Sequence, residues 1–172
     1  FERDLIVPIS EDSISLNVAI CEDSNIDSLK LNLIKHINYI KVEKDEILFT
    51  LLDIQRKISL FEKSINALKL NSENQSTAKF LDELILYSIS KRASDIHIEL
   101  YNSLTLFKFR VDGNLKVFFS IDGEFFKIIS SYIKLISNLD MTQNRLPLDG
   151  RFSRNIDNKK YEVENVRFHK NF

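Results

Sequence analysis

"KRASDIHIEL", residues 91–100, decides how the second half of the chain is read. As a β-strand it sends Asp95, His97 and Glu99 to one face and Ile96, Ile98 and Leu100 to the other, because successive strand side chains alternate. One face is apolar enough to cover a core. The other carries a carboxylate, an imidazole and a second carboxylate in a row, which could hold a metal, move protons or form the polar side of a sheet. The next apolar stretch, "LTLFKFRV" (104–111), alternates phenylalanine with Lys108 and Arg110. Those cations would repel a metal ion and satisfy carboxylates. No further His or Cys motif supplies companion ligands, and no nearby loop outlines a substrate pocket. The row therefore reads as a polar sheet face held by charge-assisted hydrogen bonds, with no metal.

Asp112-Gly113 joins this strand to "NLKVFF" (114–119). Asp-Gly marks a tight hairpin, since glycine accepts positive φ and aspartate bonds back to nearby amides. Matching apolar partners favours a three-residue loop, Val111 to Gly113, with Phe109 beside Leu115 and Phe107 beside Val117. That register gathers Lys108, Arg110 and Lys116 on the opposite face. The phenylalanines then point to the core, so the mixture of aromatic and basic residues is an amphipathic strand, not a nucleic-acid platform.

Working outward, Ser76 or Thr77 can cap a helix with Phe80, Leu81, Leu84, Ile85 and Ile89 on one face. A second helix from 124 to 138 places Phe125, Ile129, Ile133 and Ile136 together. Two strands should close the turn-rich last third. In the first part, residues 4–9 and 14–20 flank the turn "SEDS" as a hairpin. A helix begins at Asn25 or Asp27 with Leu29, Leu33 and Ile37 on one stripe, and "INYIKV" follows as a strand. A further helix, Asp45 to about Ile58, buries Ile47, Leu48, Leu51, Leu52 and Ile54. The polar run ending "NSENQST" suggests a linker. The expected organisation is α+β, with two small α/β domains at 1–63 and 77–172 joined by a linker at 64–76.

Composition agrees with a folded, water-facing protein. The chain has 172 residues, 44% apolar, with net charge −1. A slight acidic excess before residue 77 and a slight basic excess after it fit two domains with different partners. Neither approaches the basic density of a nucleic-acid binder. No apolar run nears the roughly 20 residues that cross a bilayer. Cys21, the sole cysteine, sits in the apolar alternation "SISLNVAIC" and reads as a reduced core thiol, which fits a cytoplasmic setting. The glycines, at 113, 123 and 150, cannot build the phosphate-binding loop Gly-x-x-x-x-Gly-Lys-Ser/Thr. The absence of an initial methionine and the ending "FHKNF" suggest a piece of a longer protein.

"KRASDIHIEL", "FKFRVDGNL", "IKLISNLDMTQNRLPLDGRF" and "YEVENVRFH", in this order, resemble the region before the phosphate loop of type II secretion and type IV pilus assembly ATPases. Residues 1–63 are more weakly similar to the latter half of that family's N-terminal domain. Leu100 stands where the family usually has proline, Leu148 where it has glutamine, and "RFHKN" replaces a Ser-Thr-x-Pro run. The resemblance implies a PAS-like second domain and a platform-docking first domain, with the ATPase domain lying beyond Phe172. It makes Asp95, His97, Glu99, Arg110, Asp112 and Gly113 structural. Arg167 matches an arginine that approaches the γ-phosphate when domains close, and Arg145 and Arg151 match interface arginines. It further implies no cofactor in these residues, ATP and Mg in the whole protein, and a cytoplasmic position peripheral to the inner membrane. The implied partners are an inner-membrane platform protein, the protein's own ATPase domain and neighbouring subunits, without direct nucleic-acid contact. A stand-alone PAS-like sensory or scaffolding module is the rival expectation.

Overall fold

The computed structural model describes residues 4–30, 35–69, 74–140, 150–166 and 169–170. The chain divides into two compact units, Phe1–Arg56 and Lys57–Phe172, each an α+β assembly.

The first unit is built on a three-stranded sheet. Strands β1 (Ile6–Glu11) and β2 (Ser15–Ile20) form the expected antiparallel hairpin, and β3 (His36–Lys41) adds to β2 in parallel. Asp12 sets the turn: its carboxylate accepts hydrogen bonds from the Ile14 and Ser15 amides and from the Ser15 hydroxyl. Short helix α1 (Asp27–Lys30) packs Leu29 with Ile6 and Val18 on one sheet face. Helix α2 (Lys44–Lys69) packs Ile47 and Leu51 with Val7, Ala19 and Cys21 on the other. Two sequence expectations fail here. Ile37 belongs to β3, so it cannot extend the stripe of α1. Leu48, Leu52 and Ile54 are exposed, because only a narrow strip of α2 meets the sheet.

The boundary between units falls inside α2. Residues 64–69, expected in a linker, are its last turns, and residues 74–76 open helix α3 (Asn74–Ser90). Burial explains the longer helix, since Leu60, Ser64 and Ala67 are fully enclosed in the second unit.

In that unit β4 (Asp95–Tyr101), β5 (Leu104–Val111), β6 (Asn114–Asp122) and β9 (His169–Lys170) form a sheet in the order β6-β5-β4-β9. Helices α3 and α4 (Glu124–Ile136) bury Phe80, Leu84, Tyr87, Phe125 and Ile129 against Phe107 and Phe109. Phe80 meets Phe125 edge-on at 4.7 Å. A separate hairpin, β7 (Gly150–Ile156) with β8 (Lys159–Val166), lends Phe152, Ile156 and Val163 to the same core. Gly123 lets the start of α4 lie on the β4–β5 turn: its amide donates to Ser103 at 2.8 Å, and a Cβ there would stand 2.8 Å from the Ser103 backbone.

The central hairpin corrects the expected register. Asp112 and Gly113 form a two-residue turn, with φ of 50° and 78°, and Phe109 pairs with Lys116, not Leu115. The reason is twist: two successive positive-φ residues turn the chain in the sense that continues the sheet's right-handed twist. Lys116 therefore leaves the face shared by Lys108 and Arg110, where Leu115 and Val117 stand instead. The apolar mismatch is repaired further on by a bulge. Phe107 pairs with Phe119 and Lys108 with Val117, so Phe118 is the extra residue. Phe118 and Phe119 then stack on Phe109 and Phe107, each at 4.5 Å.

Candidate functional site

The polar face of β4 is assembled by strand register. Asp95 lies opposite Arg110 and His97 opposite Lys108, which brings one acidic and one basic row within reach. Lys108 Nζ donates to Glu99 Oε2 at 2.5 Å, and Arg110 Nε to Asp95 Oδ2 at 3.1 Å. His97 Nε2 lies 2.6 Å from Asp95 Oδ1. An ionised carboxylate only accepts, so this ring nitrogen carries the proton. Partial burial opposes ionisation of Asp95, yet hydrogen bonds from Ser94 and His97 and the nearby Arg110 charge outweigh it. The carboxyl is held below its ordinary range. Arg110 also donates to the Gly113 carbonyl at 3.3 Å, bracing the turn. Among the described residues no group of three or more His, Cys, Asp and Glu is arranged to hold a metal. Asp95, His97, Glu99, Lys108 and Arg110 are thus hydrogen-bonded within and across β4 and β5, and Arg110 reaches on to the turn formed by Asp112 and Gly113.

A second cluster was invisible in the sequence. Arg154 on β7 grips Asp82 on α3 through Nε at 2.7 Å and a terminal nitrogen at 2.8 Å, and its other terminal nitrogen donates to the Tyr132 hydroxyl at 3.4 Å. Hydrogen bonding to Asp82, reinforced by its charge, outweighs burial and raises the guanidinium pKa above its ordinary value. Nothing marks this pair in advance. Asp82 looks like one more polar position on an amphipathic helix.

Between α3, β4 and the β7–β8 hairpin lies a cleft of ≈ 370 Å³. Its floor is apolar, formed by Leu81, Leu84, Ile85 and Ile133, while Asp95, Glu162 and Glu164 stand among its walls. Arg151 is exposed on β7, close enough to favour ionisation of Glu162 after the stronger contribution of Lys160. Arg145 and Arg167 lie outside the described residues. The described glycines serve a turn, a strand-to-helix junction and a strand start.

A family model described as type II/IV secretion system protein matches residues 70–168, more than half of the chain. The chain belongs to this family. The type IV pilus assembly ATPase PilB of Myxococcus xanthus is 28% identical over 87% of this chain and 30% of that protein. A putative type II secretion system protein E of Escherichia coli is 29% identical over 64% of this chain and 24% of its own length. The type II secretion system protein E of Klebsiella pneumoniae is 32% identical over 55% of this chain, 19% of that protein. The chain thus spans less than a third of each relative. Among the described residues no helix is long and apolar enough to cross a membrane.

Proposed function

We propose that these residues form the non-catalytic N-terminal region of a secretion or pilus-assembly motor ATPase. The observation that carries this reading is the family match over residues 70–168, most of the second unit, with less than a third of each relative's length matched. ATP and Mg are then held by a part of the longer protein outside these residues, as fits a chain that matches less than a third of each relative. On this reading the motor is hexameric and works at the cytoplasmic face of the inner membrane. The first unit docks on a membrane-platform protein. The second, PAS-like unit moves against the ATPase domain and neighbouring subunits, converting nucleotide state into motion. Arg167, supported by Arg145 and Arg151 at the same interface, would meet the γ-phosphate on closure, where a planar, permanently charged fork suits phosphoryl oxygens.

The test compares the 172 residues with the natural protein extended past Phe172. The extended protein should hydrolyse ATP and the shorter chain should not. Arg167→Ala in the extended protein should lower kcat by about tenfold to a hundredfold, more than it weakens nucleotide binding. Lysine should rescue part of the loss. No turnover by the extended protein would refute the motor. The rival, a stand-alone PAS-like sensory or scaffolding module, draws on the cleft, and a small molecule held there equally well by both proteins would favour it.

A further inference from the structure

We propose that the β7–β8 hairpin is a detachable strap, latched by the Asp82–Arg154 ion pair, that lifts off the second unit as one piece while α3, α4 and the four-stranded sheet stay folded. The device belongs to the second unit alone, and the success or failure of the motor reading does not touch it.

Backbone hydrogen bonding sets the hairpin apart. β7 and β8 pair with each other and, among the described residues, with no strand of the sheet β6-β5-β4-β9. The hairpin can therefore move without breaking a rung of the larger sheet. The aromatic centre is likewise complete without it. Phe80, Tyr87, Phe107, Phe109 and Phe125 come from α3, α4 and β5, are fully buried, and meet in ring pairs. The hairpin adds Phe152 and Ile156, each still 8% exposed, at the margin of this core. The chain holds the strap at both ends, through α4 before it and through β9 after it, which pairs with β4 at Glu99 and Leu100.

The fastening to the helices is polar and reversible. Arg154 of β7 forks onto Asp82 of α3 at 2.7 and 2.8 Å and reaches the Tyr132 hydroxyl of α4 at 3.4 Å. Both charges are partly exposed, so water hydrates each of them once the fork parts, and opening strands neither in an apolar interior. Off the core, a lone two-stranded ribbon is marginally stable in water, so its ladder amides exchange with solvent in the open form. Opening also bares Leu81, Leu84, Ile85 and Ile133, which share the cleft with Phe152 and Val163. Arg151, on β7, travels with the strap.

Native-state hydrogen exchange of the 172-residue chain, followed at rising but sub-denaturing urea, tests the device. Ladder amides of residues 152–156 and 159–163 should exchange through an opening roughly tenfold or more populated than the one that frees β5, and with a weaker dependence on urea. Asp82→Asn should speed hairpin exchange by roughly tenfold or more. Arg154→Lys, which keeps the charge without the fork, should fall between that variant and the parent. Phe118→Leu supplies the contrast, because its ring meets Tyr87 and Phe109, a packing that survives in the open form. It should speed exchange in β5 by roughly threefold or more and leave the hairpin rate unchanged. Hairpin and β5 amides exchanging together, or a hairpin accelerated by Phe118→Leu as much as β5, would overturn the strap, and neither result needs the latch variants to fold. A hairpin rate indifferent to Asp82→Asn would overturn the latch, since it would mean fraying of the ladder in place.

Discussion

Arg154 and Asp82 lie 72 positions apart and still form the best-defined ion pair of the second unit, two parallel hydrogen bonds with both side chains 23% exposed. Such a fork holds the β7–β8 hairpin at a fixed orientation on α3, which a single point contact could not do. Arg154→Ala or Asp82→Ala should each destabilise the unit by about 1–3 kcal/mol, because the surviving charge stays partly buried. The double variant should cost less than the sum of the single ones, and a strictly additive result in chemical denaturation would show that the two act separately. Asp95 provides a pH test. Its folded-state pKa lies below the ordinary 3.8, so its contribution is present above the unfolded value and is lost as pH falls through the folded one. Asp95→Asn should therefore melt below the parent at neutral pH, with the gap closing only below about pH 4. A gap that widened on acidification would contradict the sign.

At the scale of elements, patterning carried far. The strand at 104–111 and the helix from 124 sit where alternation and helical spacing put them, because each shows a strong contrast between faces, and the last third holds strands that were expected without bounds or pairing. The failures have two physical causes: a local turn geometry outweighed apolar matching in the hairpin, and packing distant in sequence set the extent of α2. Apolar matching of Phe109 with Leu115 assumed uniform alternation through β6, whereas one extra residue, Phe118, restores core packing after a tight turn has already fixed the opposite register. In α2 the buried stripe of the last turns is made of Leu60, Ser64 and Ala67, too small and too polar to announce a core face. The contacts of Glu99 with Lys108 and of Asp95 with Arg110 were readable, since the opposing cations lie one strand away. The Arg154 clamp was not. The hairpin offers the direct check at this scale. Gly113→Val should cost about 1–2 kcal/mol, since a β-branched residue resists φ near 78°. Asp112→Asn should be neutral or slightly stabilising, as asparagine favours the same turn position. A melting temperature unchanged by Gly113→Val would mean that the turn relaxes at little cost.

For the whole molecule, the limits of sequence similarity and the limits of packing disagree. The family match begins at residue 70, and the polar run suggested a start at 77, yet the second unit begins at Lys57. The difference is the last part of α2, which encloses Leu60, Ser64 and Ala67 completely and sets Lys63 3.2 Å from Glu83 on α3. Two shortened chains decide which limit is physical. One starting at 57 keeps this cover and should unfold cooperatively at the temperature the second unit shows in the 172-residue chain. One starting at 77 exposes the surface of α3 that Leu60 and Ala67 had covered. Burying one leucine is worth about 2 kcal/mol, and an uncovered core surface adds to the loss, so this chain should be weaker by about 3 kcal/mol or more. It should also bind more 1-anilinonaphthalene-8-sulfonate than the longer one. If both chains melted together, the end of α2 would be an appendage, and the unit would begin where the family match does.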